Sequence, residues 1–176
     1  YEPFGIEPDI LVLGKGLGGG ILPLAAMLAR PELDVAGDVA LGHYTHEKNP
    51  LTARVALETI HVIQSEGLVE RASHLGRIAL DGLRRLQASH EAIGDVRGRG
   101  CVVGAELVRD RVSREPDSDL AEATLYAALE RGLSFKITMG NVLTLTPPLI
   151  LTDDEMHHAV QVLDESLTAA RKETER

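Results

Sequence analysis

Lys15 lies in the run Gly14-Lys15-Gly16-Leu17-Gly18-Gly19-Gly20, directly after the apolar stretch Ile10-Leu11-Val12-Leu13. A lysine amine can form a Schiff base with a carbonyl carbon. Desolvation favours the neutral, nucleophilic form of such an amine. Glycines beside it let a large ligand approach the backbone closely. A short apolar run after Glu7-Pro8-Asp9 predicts a buried parallel strand, which would place Lys15 at a strand end.

Other chemistries fit this stretch less well. A phosphate-binding P-loop needs Ser or Thr after its lysine, and Gly16 stands there. The dinucleotide pattern Gly-x-Gly-x-x-Gly is met by Gly14, Gly16 and Gly19. That pattern must open a helix, and Gly20 and Pro23 interrupt one. A glycine-rich surface turn with a solvated lysine is disfavoured by the apolar runs on both sides.

Further along, Thr45 precedes Asn49-Pro50-Leu51 in a polar loop spanning 37–48. A hydroxyl there can donate a hydrogen bond to an anion, or merely cap the loop. His43, His46 and Glu47 do not have a zinc-ligand spacing and read as a polar wall at the mouth of a site, so no metal is expected. Strand alternation puts Thr144 and Thr146 on one face, with Leu143 and Leu145 on the other. If the threonine face looks into a site, that part of the pocket is neutral and suits an amine. His157 and His158 read as helix-surface residues, and Cys101 as a small core residue.

The elements that must position these residues follow from periodicity. Residues 24–29 predict a second strand of the same sheet, bracketed by Pro23 and Pro31. Asn49-Pro50 predicts a helix start, and the broad apolar faces beyond it predict a well-buried helix. Gly67 breaks that pattern. Leu68, Ala72, Leu75, Ala79, Leu83 and Leu86 then form an amphipathic stripe. Residues 94–100 read as a turn, 101–108 as a strand and 110–119 as a charged loop. A helix over 120–131 is stopped by Gly132. Strands over 133–137 and 142–146 flank the hairpin signal Met139-Gly140-Asn141. Thr152-Asp153-Asp154-Glu155 is a capping box opening a last helix, and residues 172–176 read as a frayed tail. The order predicts an α/β region over 1–66, the last piece of a parallel-sheet domain, then a compact α+β domain over 67–176.

Composition narrows the function classes. The 176 residues are 44% apolar, enough for a sizeable core. A net charge of -9 with no basic cluster argues against nucleic acid and anionic membranes as partners. One cysteine fits a reducing, cytoplasmic setting, and no apolar stretch approaches the ~20 residues of a membrane span. No signal peptide is evident. The opening at Tyr1, in what reads as a mid-domain loop, suggests a C-terminal part of something longer.

Taken together, these segments resemble the C-terminal part of a class III aminotransferase, a fold-type I family dependent on pyridoxal phosphate. Glu7-Pro8-Asp9-Ile10 with the glycine-flanked Lys15 is similar to the family's lysine signature. Thr45 with Asn49-Pro50-Leu51 resembles its Thr-x-x-x-Asn-Pro-Leu segment. Residues 93–100 resemble the turn before the first strand of its small domain, and Pro147-Pro148-Leu149 its closing signature. The resemblance implies that Lys15 is the catalytic lysine and holds the cofactor as a Schiff base. It implies that Thr45 binds the cofactor phosphate from the neighbouring subunit of a homodimer, and that 1–66 and 67–176 belong to the large and small domains. Where many members carry Arg before Pro-Pro, this chain has Thr144, which makes Thr144 a candidate substrate-pocket residue.

Residues 43–49 and 111–119 look most like the dialkylglycine decarboxylase branch, which holds an alkali cation near this loop. Backbone carbonyls of Thr45 and Glu47 could serve such a cation, but Asn49 stands at the acidic ligand's place. The implied activity is transfer of an amino group from an amine or amino acid to an oxo-acid. A lyase or decarboxylase on the same scaffold, a dinucleotide-binding oxidoreductase domain and a non-catalytic fragment remain the alternatives. Cofactor-tuning residues implied by the resemblance lie outside this stretch, so the chain alone is expected to be inactive.

Overall fold

The computed structural model describes residues 1–39, 42 and 45–174. Contacts divide the chain into two compact units, Tyr1–Glu66 and everything from Gly67 onward.

In the first unit, β1 (Ile10–Leu13) pairs with β2 (Ala26–Ala29). The pairing is antiparallel, with Ile10 opposite Ala29 and Leu13 opposite Ala26. The expected parallel strand is thus an antiparallel one. It is also not buried: Val12 is 71% and Met27 68% exposed. A continuous apolar run signals two covered faces, and the described residues of this unit cover neither. Helix α1 (Pro50–Ser65) starts as expected, with Asn49 Oδ1 accepting from the Leu51 amide at 2.9 Å. Its apolar faces also stay open; only Ala56 is buried. The good burial expected of this helix is not found.

The second unit closes a core. Helix α2 (Leu68–Ser89) follows Gly67, whose φ of +61° needs no Cβ there. Strands β3 (Ile93–Arg99), β4 (Val102–Leu107), β5 (Lys136–Thr138) and β6 (Val142–Leu145) form one antiparallel sheet in the order β3-β4-β6-β5. Helices α2 and α3 (Ser118–Glu130) pack on the sheet, and α4 (Asp153–Thr174) packs on both helices. Leu75, Leu83, Ile93, Leu107, Leu143 and Leu163 are almost fully buried between these layers.

Residues 94–100 form most of β3 rather than a turn. Their glycines answer crowding: a Cβ on Gly98 would lie 2.5 Å from the Val102 carbonyl oxygen and 2.6 Å from the Val103 Cα. The reversal itself sits at Gly100, with φ +51°. A Cβ on Gly76 would meet the Gly100 carbonyl at 2.2 Å, so α2 lies directly on that turn.

Helix ends follow the sequence closely. Asp117 caps α3 through the Leu120 amide at 3.1 Å, so the charged loop ends two residues earlier than expected. Gly132, with φ +84°, and Leu133 donate back to Leu129 and Ala128 in a Schellman ending. The capping box is complete: Glu155 N donates to Thr152 Oγ1 at 3.2 Å, and Thr152 N donates to Glu155 Oε2 at 2.8 Å. Helix α4 runs on through Thr174, where a frayed tail was expected.

Opposite ends of α2 are tied to α4. Asp153 accepts from Arg71 at 2.7 Å and lies 2.7 Å from His74 Nε2. His90 Nε2 lies 2.5 Å from Asp164. Hydrogen bonds from His74 and then Arg71 hold the Asp153 carboxyl below the usual carboxylate range.

Candidate active site

The chain leaves β1 through Gly14, which is extended, and enters a 3-10 turn over Lys15–Gly18. Lys15 itself takes the left-handed conformation, with φ 49°. A non-glycine residue there costs about 1–2 kcal/mol, and glycine would avoid that cost. Glycines stand all around Lys15, yet the strained position is held by the residue with an amine. Strain of this kind clusters where a side chain is needed for function.

The turn is firm and open at once. Leu17 N donates to Gly14 O at 3.1 Å, and Gly19 N donates to Gly16 O at 3.0 Å. A Cβ on Gly19 would lie 2.9 Å from Thr59 Oγ1 on α1, so the turn lies close against that helix. A Cβ on Gly16 or Gly20 would meet nothing within 4 Å. Lys15 is exposed and makes no ion pair or hydrogen bond with a described residue. The desolvation expected of it is therefore not supplied by this unit. No helix longer than the short 3-10 turn follows the glycines before β2, which removes the dinucleotide-binding reading.

Thr45 lies in a turn over 45–48, exposed, and no described residue holds its hydroxyl. A cleft of about 630 Å³ lies nearby between Pro23, Leu24 and Ala25 on one side and His46, Glu47 and Lys48 on the other. Neither Lys15 nor Thr45 lines it. His46 borders this cleft, while His43 lies outside the described residues. Among the described residues, no cluster of His, Cys, Asp and Glu could hold a metal. His157 and His158 are exposed on α4. Cys101 is buried with its Sγ 3.7 Å from the Ala72 carbonyl, and burial pushes its thiol up despite the Arg71 charge. It is a core residue.

Thr144 is on β6, half-buried, on the face opposite the buried Leu143 and Leu145. Its Oγ1 lies 2.7 Å from Thr138 Oγ1. Its cross-strand partners are Gly104 on β4 and Lys136 on β5. Lys136 thus stands directly across from Thr144. Lys136 was missed because it lies eight positions away in sequence. Pairing outward from Met139-Gly140-Asn141 would have found it, since 138 meets 142 and 136 meets 144.

Residues 1–167 match the class-III aminotransferase family. The chain belongs to that family. Among its class-III relatives, the (R)-1-hydroxy-2-aminoethylphosphonate ammonia-lyase of Vibrio splendidus is 42% identical over 99% of this chain and 36% of its own length. The acetylornithine aminotransferase of Caldanaerobacter subterraneus is 35% identical over 97% of this chain and 41% of its own. An amine transaminase from an uncultivated Pseudomonas species, solved in its PLP-bound form, superposes with a TM-score of 0.89 at 27% identity, over 96% of this chain and 40% of that one. This class-III chain thus spans little more than a third of the length of the curated relatives named here. Its mixed helix-and-sheet architecture is that of the transaminase fold.

Proposed function

We propose that this chain carries the lysine-bearing part of a pyridoxal-phosphate enzyme that moves an amino group from an amine or amino acid to an oxo-acid. The observation that carries this reading is Lys15, held left-handed at the end of β1 among open glycines in a class-III chain. The residues fit the cofactor: a primary amine for an aldehyde and a hydroxyl on Thr45 for a phosphate, neither with a hydrogen-bond partner among the described residues, and bare glycines for a planar ring. When bound, pyridoxal phosphate serves as an electron sink for the carbon bearing the substrate's nitrogen. Lys15 Nζ is the primary amine that would hold the cofactor's aldehyde carbon covalently. When not bonded to the cofactor, the same Nζ would serve as the base that takes and returns a proton at the substrate carbon. Thr45 donates its hydroxyl hydrogen to the phosphate, from one subunit of a homodimer to the other. In this reading 1–66 is part of the large domain and 67–176 is the small domain, and Thr144 faces the substrate. Among the described residues, no helix is long and apolar enough to cross a membrane. A reducing cytoplasmic setting suits the lone buried Cys101.

Borohydride reduction of the holoenzyme tests this. The cofactor is expected on the peptide holding Lys15, and label on another peptide overturns the assignment. Lys15→Ala is expected to abolish turnover and leave the fold intact. Thr45→Ala is expected to weaken cofactor binding by about 1–2 kcal/mol, read by equilibrium titration. The 42% identity to an ammonia-lyase favours a second reading, elimination on the same scaffold. Ammonia released without an oxo-acid acceptor would select it.

A further inference from the structure

The second unit holds a pocket of about 260 Å³ between the end of α3, the strands β5 and β6, and the start of α4. Local sequence opens it. Helix α3 stops at Gly132, φ +84°, where a Cβ would meet nothing within 4 Å. Beyond β6 the chain runs into Pro147-Pro148, which have no amide hydrogens to carry the ladder on. Residues 133–135 and 146–148 therefore line the pocket rather than pair with each other. Its wall is apolar, built from Leu133, Phe135, Leu145, Met156, Ala159 and Val162. An engineered apolar cavity of roughly 150 Å³ takes up benzene, so this pocket has room for a branched or aromatic side chain with a polar head beside it.

Two side chains of opposite charge complete the lining, Arg131 and Glu155. Each is held in place and only partly used. Arg131 Nη1 donates to the Ala127 carbonyl at 2.6 Å, while its Nε lies a long 4.0 Å from Glu165. Glu155 Oε2 accepts from the Thr152 amide at 2.8 Å and hydroxyl at 2.7 Å. Those bonds hold its carboxyl below the usual range and keep it ionised. Both go to one oxygen, which leaves Oε1 for a ligand. The hydroxyls of Ser134 and Thr146 also line the pocket, and neither has a partner among the described residues. His158, exposed, is the remaining ionisable group of the lining.

An apolar acid would set a second anion against Glu155, and an apolar amine would leave Arg131 unmatched. A molecule with both charges on one carbon and an apolar tail satisfies the wall and both charges at once. We propose that this pocket binds a free apolar α-amino acid, its side chain against the apolar wall, its carboxylate at Arg131 and its ammonium at Glu155. The inference goes beyond the reading above and needs nothing from the first unit.

The test is calorimetry with L-leucine on the borohydride-reduced holoenzyme, whose cofactor can no longer exchange its lysine for a substrate amine. Glycine, 4-methylpentanoate and isopentylamine lack the side chain, the ammonium and the carboxylate in turn. Each is expected to bind about tenfold or more weakly than leucine. Arg131→Met keeps the apolar stem, and Glu155→Gln keeps a residue able to complete the capping box. Each is expected to weaken leucine about tenfold. Arg131→Met is expected to leave isopentylamine unchanged, and Glu155→Gln to leave 4-methylpentanoate unchanged or tighter, which shows that the pocket survives in both. Ala159→Leu, which fills the pocket without altering its charge, is expected to abolish binding of all four. Leucine binding untouched by all three substitutions overturns the proposal. So does absence of leucine binding; Ser134→Cys unreactive toward maleimide would then show the pocket filled by another part of the protein. Where borohydride fixes no cofactor, the same titration on the untreated protein decides the pocket separately from the Lys15 assignment.

Discussion

In the second unit Leu75 and Leu163 are at most 1% exposed, whereas in the first Val12 is 71% and Ile21 80% exposed. Both stretches are apolar in sequence; they differ in what covers them. Helix α2 and helix α4 meet across the unit and close over a sheet. Among the described residues, strand β1 pairs with β2 in a two-stranded sheet, and both faces of that pair are largely open. Open apolar strands call for cover from elsewhere. The residue proposed for chemistry thus sits on the unit that is least complete by itself, and the residues proposed for recognition sit on the unit that is self-sufficient.

The bluntest way to break this contrast is to separate the units. Residues 67–176 alone are expected to melt in one cooperative transition, and residues 1–66 alone to show none, by thermal circular dichroism. A cooperative melt of 1–66 would mean that its open surfaces do not govern its stability.

A finer comparison uses two glycines. Gly76→Ala forces a Cβ onto the Gly100 backbone, and backbone cannot swing aside. It is expected to cost about 1–3 kcal/mol or more, measured by urea unfolding. Gly16→Ala meets open space and is expected to change stability by no more than about 0.5 kcal/mol. Similar losses at both sites would erase the distinction.

The smallest effect is pH-dependent and belongs to the second unit alone. Asp153 has its pKa lowered in the fold, chiefly by the His74 hydrogen bond and then by Arg71. Its contribution is present above the ordinary carboxylate range and is lost as pH falls through the lowered value. Asp153→Asn is expected to flatten the acid limb of the stability curve slightly. An unchanged limb would show that this tie is held by water as well as by protein.

Legibility in the sequence followed the same division. In the second unit, periodicity located α2, α3 and α4; the caps at Gly132 and Thr152, like Asn49 in the first unit, worked because capping is local chemistry. The strand over 93–99 was hidden by Gly94 and Gly98, which signal turns in sequence but answer crowding in space. In the first unit, the run Ile10–Leu13 announced a strand and could not announce its partner. Lys15 stood out by its glycine neighbours, but its left-handed backbone did not. Lys136 was invisible because an ordinary lysine becomes noteworthy only through what lies across the hairpin.

Helix α4 has a consequence for biosynthesis. It is the last element of the second unit, yet it supplies Met156, Leu163, Leu167 and Ala170 to the core and both aspartates that grip the ends of α2. A ribosome that has released β6 has therefore delivered a sheet with much of its cover missing. The nascent unit must wait, with Leu75 and Leu83 unshielded, until α4 clears the exit tunnel. A late stop codon or a protease cut near Thr152 would thus cost the whole unit and not just its last helix.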